Sequence, residues 1–269
     1  MDSILEYLQR GAKSSPSNPS PMQNQLGQGG YQSPNAIVEV AVETQPESRI
    51  VLHSEPDSLA ADRYRLVRVY LTSLWSRKKI RRVMVASAMP GEGKSTSAIN
   101  LAFALAERSE TRVVLVEADL RQPVVGERLG LPSGPGLLHC LRDGLEPMKA
   151  VRRLQHGGLY VLSAGETTSN PIDLLNSERF ASVLNELAAV FDWLIIDVPA
   201  IVSVPDGLAI RLHCDACLWV TRANRTPKEL VRSTIQQFGE DIVIGLLLND
   251  VKQQEDRYAY YYASSKSDS

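Results

Sequence analysis

Short apolar runs recur along the chain and alternate with stretches whose apolar positions fall at helical spacing. Residues 83–86, 112–116, 159–162, 192–197, 216–221 and 242–248 read as strands. These runs are nearly continuous rather than alternating, as expected of parallel strands buried on both faces. Residues 59–74, 97–108, 178–190, 205–212 and 228–238 read as helices. In the second of these, Ala98, Leu101, Ala102 and Leu105 share one face, and Ile99, Phe103 and Ala106 fill more of the circumference. That helix is expected to be largely buried. The alternation predicts an α/β fold, with a mostly parallel sheet carrying helices on both faces. Residues 37–42 alternate weakly and suit an edge strand. Residues 55–58, Glu-Pro-Asp-Ser, form a loop able to cap the helix that follows. Residues 122–158 read as irregular, with one short helix near 147–154, and Asn170-Pro171 opens another helix.

The two ends break this pattern. From Lys13 to about Pro34 the chain is Ser, Pro, Asn, Gln and Gly, which bury too little apolar surface to offset ordering entropy. Residues 1–48 are therefore expected to form a disordered tether, with a possible short helix at 2–8 as a docking peptide. Residues 49–252 form the folded domain. Residues 253–269 form a flexible tail holding Tyr258, Tyr260, Tyr261 and Tyr262, four of the nine tyrosines.

Composition narrows the class. The 269 residues are 43% hydrophobic, with a net charge of −2 and a pI near 6.1. Nothing there points to nucleic acid. No run approaches the roughly 18 apolar residues of a membrane span, and no signal-peptide pattern opens the chain. A cytoplasmic location is the expectation. Cys214-Asp-Ala-Cys217 is formally a CxxC, but it lacks a second pair of ligands and runs into an apolar strand, so a structural role is expected.

The chemistry concentrates after the first core strand, in Ser-Ala-Met-Pro-Gly-Glu-Gly-Lys-Ser-Thr, residues 87–96. This follows the Walker A pattern, with Ala88 at the usual first Gly. Pro90, Gly91, Glu92 and Gly93 form a turn whose backbone amides can face a triphosphate. Lys94 can reach the β- and γ-phosphates, Ser95 can ligate Mg²⁺, and Ser95 and Thr96 open a helix whose N-terminus favours negative charge. Glu117 and Asp119 follow the second strand, and Asp197 ends the strand Leu-Ile-Ile-Asp, as a Walker B element requires. Acids at the C-terminal ends of parallel strands face the ligand crevice of α/β sheets. On the helix at 59–74, Asp62, Arg65 and Arg68 share roughly one face, as a solvated stripe or a subunit contact. The basic run 77–82 is either solvated or able to hold phosphate or an acidic partner.

Together these motifs, with Asn-Pro-Ile-Asp-Leu-Leu, Gly-Leu-Leu-Leu-Asn249 and the Tyr tail, resemble the bacterial tyrosine autokinases of polysaccharide biosynthesis and export, in their stand-alone form. The likeness runs from about residue 52 to 262. It implies a P-loop NTPase-like fold that uses ATP and Mg²⁺. Lys94 would bind the β/γ-phosphates, Ser95 with Asp197 would hold Mg²⁺, Asp119 would assist the metal or the acceptor, and Asn249 would contact adenine. Glu117 stands where the family usually has Asp, often assigned as the base for the Tyr hydroxyl. Its added methylene moves the carboxylate by about 1.5 Å. The resemblance further implies a ring of subunits built through Asp62, Arg65 and Arg68, with one tail entering the neighbour's site. It implies a membrane chain-length or export protein whose cytoplasmic segment activates the kinase and recruits it to the inner face of the membrane, and a cognate tyrosine phosphatase. The Gly-rich, catalytic-loop and DFG set of eukaryotic-type kinases is absent. Two other readings remain: a nucleotide-switched ATPase of the Min/Par kind, whose extra P-loop Lys is replaced here by Met89, and a catalytically weak ATP-binding scaffold.

Overall fold

The computed structural model describes residues 37–42, 48–108, 110–155 and 158–251. The Tyr cluster, the helix at 2–8 and most of the tether lie outside the described residues.

The strands are β1 (Val38–Val40), β2 (Arg82–Ser87), β3 (Val113–Glu117), β4 (Arg152–Leu154), β5 (Tyr160–Leu162), β6 (Trp193–Asp197), β7 (Ala216–Arg222) and β8 (Val243–Asn249). The helices are α1 (Val51–Ser54), α2 (Leu59–Lys78), α3 (Lys94–Ala106), α4 (Val125–Arg128), α5 (Leu137–Arg142), α6 (Pro147–Ala150), α7 (Ile172–Leu175), α8 (Glu178–Ala188), α9 (Asp206–Arg211) and α10 (Lys228–Phe238). One sheet runs β1-β4-β5-β3-β6-β2-β7-β8, parallel at every pairing but β4 with β5. The order puts β3, β6 and β2 side by side at its centre, so the turns after all three open at one edge.

The expected P-loop helix is α3, buried from Ser97 to Ala106. Its alanines let it lie close between α2 and the sheet, where Val83, Leu115, Ile195 and Leu218 join the same core as Ile99 and Leu101. Ser58 caps α2 as expected, accepting from the amide of Ala61 at 3.2 Å. The helix stops at Lys79, whose backbone is left-handed at φ 60°.

Two expectations need correction. The helix near 147–154 ends at Ala150, and Arg152–Leu154 is a strand. Its alternation places Leu154 in the core and Arg153 outward on Glu39, 2.6 Å away, beside its parallel partner β1. That strand exists because of a neighbour more than a hundred residues away in sequence. The stretch 122–158 is also not irregular, since it holds α4 and α5. Strand β1, expected at an edge, is the edge strand of the sheet and precedes the boundary placed at residue 49. The basic run is used within the domain. Arg81 donates to the carbonyls of Phe191 and Asp192, and Arg82 donates to Asn185.

Candidate active site

The turn between β2 and α3 holds Gly91 and Gly93 at φ +80° and +93°, a backbone that side-chain-bearing residues rarely adopt. At Gly93 an added Cβ would lie 2.0 Å from Nδ2 of Asn249. The turn is held from behind by Glu92, which is buried. One carboxylate oxygen accepts from the Met89 amide at 2.6 Å. The other accepts from the hydroxyls of Thr221 and Thr226 and from the Arg222 amide. The Glu92 side chain faces the end of β7 and its following turn, which leaves its backbone amide for the phosphate contact expected of this turn. Asn249 donates to the Glu92 carbonyl at 3.0 Å and accepts from the Asp250 amide, which makes its side-chain amide a brace of the same turn.

In front of the turn is a cleft of about 330 Å³, lined among others by Pro90, Gly91, Gly93, Lys94, Ser95 and Asp119. Lys94 Nζ lies 3.4 Å from Asp119, whose other oxygen accepts from the Gln122 amide. Glu117 is adjacent to Asp197 in the β3–β6 register but does not line the cleft. Both its oxygens are occupied by backbone amides, those of Val124 and Val125 on one and Ala164 on the other. Burial raises the Glu117 carboxyl above the usual range, while the three amides pull it down. The added methylene thus spans from the strand to the loop before α4. Of the acidic pair, Asp119 is the member that faces the cleft.

Asp197 is fully buried, and neither carboxylate oxygen has a hydrogen-bond partner among the described residues. Burial pushes its pKa up to about 7, against the nearby Lys94 charge and Ser95 hydroxyl and with the help of Glu117 and Asp119. An unpartnered buried acid is costly unless something completes it. A divalent cation fits that need, with Ser95, Asp119 and Asp197 as the residues to hold it. No group of three or more His, Cys, Asp or Glu forms a metal cage among the described residues.

Two cations were not singled out from the sequence. Arg121 forks onto Asp206 at 2.7 and 3.0 Å and donates to the Ser169 carbonyl. Arg128 donates to the Thr96 hydroxyl. Both line the cleft. Arg121 stands inside the Walker A′ string and was the legible one; Asp206 and Arg128 carry no local signal. The structure places Asp62, Arg65 and Arg68 at the far end of α3. Arg65 bonds both Asp62 and Glu107, and Arg68 bonds Glu107 and the Ala104 carbonyl. Burial would raise the Glu107 carboxyl, but the two arginines outweigh it and hold it low. Cations there also suit the negative end of the helix. Cys217 is buried, and Cys214 donates to the Ile210 carbonyl. Burial raises both thiols, which makes them poor thiolate ligands.

Comparison with known proteins agrees with this geometry. The family described as "ParA: NUBPL iron-transfer P-loop NTPase" matches residues 79–241. The tyrosine-protein kinase YwqD of Bacillus subtilis is 30% identical over 218 residues, covering 80% of this chain and 92% of that protein. The succinoglycan biosynthesis transport protein ExoP of Rhizobium meliloti is 29% identical over 234 residues, covering 84% of this chain and 29% of ExoP. The crystal structure of the VpsO kinase domain superposes with a TM-score of 0.65 at 29% identity, covering 72% of this chain and 97% of that one. With a Walker A turn, acids at the ends of the adjacent strands β3 and β6 and a tyrosine kinase matched across nearly its whole length, the chain belongs to the bacterial tyrosine-protein kinases, within the ParA-like P-loop NTPases.

Proposed function

We propose that the chain moves the γ-phosphoryl group of ATP to Tyr258, Tyr260, Tyr261 or Tyr262 of a neighbouring copy. The observation that carries this reading is a cleft lined by Lys94 and Asp119, with the fully buried Asp197 at the end of β6 close enough to feel both charges and without a hydrogen-bond partner for its carboxylate among the described residues. The turn amides and Lys94 hold the phosphates, with Lys94 leaving Asp119 as it does so. Ser95 and Asp197 would hold Mg²⁺, whose charge would offset that of the phosphates. Asp119, freed, orients the incoming phenol and takes its proton as the new phosphorus–oxygen bond forms and the β–γ bridge breaks. A phenol of ordinary pKa near 10 needs only a weak base when the transition state is loose. Glu117 fixes the loop that carries this wall.

Asp62, Arg65 and Arg68 are proposed to meet the neighbouring subunit in a ring, since closed rings form from head-to-tail contacts of this kind. Each phosphate adds about −1.5 to −2 charges, so a modified tail repels itself and the acidic site, and the ring loosens. ExoP is named as a transport protein and aligns over less than a third of its own length. This supports a membrane export partner that activates this chain at the inner face of the membrane, with a tyrosine phosphatase closing the cycle. Among the described residues no helix is long and apolar enough to cross a membrane.

Intact mass after incubation with Mg-ATP tests the reading. Steps of one phosphate in the wild type, absent when all four tail tyrosines are Phe, are expected. Phosphate release without any mass step would instead favour the positioning-ATPase reading.

A further inference from the structure

Three cations line the cleft, and two of them already hold a carboxylate: Lys94 holds Asp119, and Arg121 holds Asp206. The third, Arg128, has no carboxylate partner among the described residues. It is the last residue of α4, half-buried, between the fully buried Val125 and Leu129 that fix its helix in the core. Its guanidinium reaches across to the Thr96 hydroxyl in the first turn of α3. A guanidinium carries five donors in a rigid fork, and this bond uses one. The remaining donors sit at the cleft wall, beside a turn built to receive anions.

We propose that Arg128 is a second phosphate-holding residue, binding the ADP portion of the nucleotide rather than the group transferred. The inference rests on the nucleotide reading above. The γ-end is marked by Lys94 and Asp119, which touch each other. Arg128 is tied instead to Thr96, two residues further along α3 and past the Mg²⁺ hydroxyl of Ser95. From there it supplies charge to binding without entering the transfer step. Thr96 acts through it as a positioning residue, holding the fork in place before the nucleotide arrives.

Calorimetric titration of the full chain with Mg-ADP and with Mg-ATP tests this, using wild type, Arg128→Gln, Thr96→Val and the double variant. Arg128→Gln is expected to weaken both nucleotides by the same factor, on the order of tenfold, as for a hydrogen bond to a charged group. The log Kd of this variant should depend less steeply on log salt than that of the wild type. Thr96→Val should cost less, and the double variant should lose less than the product of the two factors. Unchanged Mg-ADP affinity in Arg128→Gln, or a loss confined to ATP, would overturn the proposal. If Arg128→Gln melts well below wild type without nucleotide, Arg128→Lys decides. Recovery of Mg-ADP affinity to within about threefold of wild type upholds the phosphate contact, whereas binding as weak as the Gln variant overturns it. A wild-type chain that binds neither nucleotide would remove the nucleotide reading itself. Wild-type binding matched by Arg128→Gln would remove this inference alone.

Discussion

Glu92 and Asp197 are both buried acids beside the same turn, yet they are opposites. Glu92 has every oxygen engaged, by two amides and two hydroxyls from β7, its following turn and the P-loop. Asp197 has neither oxygen engaged among the described residues. The acid braced against β7 is satisfied without a ligand, and the acid at the end of β6 is not. There Lys94 and Asp119 meet at a long 3.4 Å, and Arg128 has no carboxylate partner among the described residues. The difference teaches where rigidity and where binding energy reside. The braced acid shapes the turn in advance, which lowers the reorganisation needed during transfer. The other is left uncompensated, so that metal and phosphate complete it.

The comparison is broken most directly at Lys94. Lys94→Met should lower phosphotyrosine formation by at least the roughly 10²–10³ of losing one transition-state donor. It should leave the melting temperature nearly unchanged, and a radiolabel assay beside a thermal melt checks both. Asp197→Asn sharpens the contrast because two effects oppose. The folded pKa near 7 lies above the unfolded value near 4. Wild type is therefore favoured by this group at low pH and loses that benefit as pH rises from about 4 through 7. At pH 8 without metal, the Asn variant should melt higher, by roughly 5 °C. It should also lose most metal-dependent activity. A variant that melts lower at pH 8 would place a partner on Asp197 that the structure lacks.

Glu92→Ala should act on the satisfied acid. Stripped of their acceptor, two amides and two hydroxyls remain buried, at about 1–3 kcal/mol for each unsatisfied group before relaxation. Its signature is a lowered melting temperature together with weaker Mg-ADP binding, where Lys94→Met shows only the second kind of loss. Glu117→Gln should retain part of the activity, because a carboxamide still accepts from the loop amides. An abolished rate with intact folding would return Glu117 to the role of base. The smallest effect is expected at Glu107→Gln, far from both acids. Its half-exposed pairs with Arg65 and Arg68 are worth about 1 kcal/mol or less, and denaturant unfolding reads it.

How much of this was legible follows the range of the interactions. Strands β2, β3 and β5–β8 and helix α3 announce themselves as local apolar runs, and the structure places them within a few residues of expectation. Lys94, Ser95, Asp119 and Asp197 were legible because a phosphate turn and its acids come in fixed order around known elements. Strand β4 was not, since Arg152–Leu154 becomes a strand only beside Val38–Val40. The inward turn of Glu92 was equally hidden, because Thr221 and Thr226 lie about 130 residues on. Arg128 belonged to a stretch with no periodicity to read, and its partner is 32 residues upstream.

Gly93 leaves the chain little freedom of substitution at this point. Any mutation there adds a Cβ to a left-handed backbone and drives it into Nδ2 of Asn249. Shortening Asn249 would relieve the collision but not the backbone, and it would release the Glu92 carbonyl that the amide holds. No single step away from glycine is therefore neutral, and the obvious second step does not rescue it. The two positions, 156 residues apart, are thus locked to each other by packing, so the far end of the last strand sets what the phosphate turn can be made of.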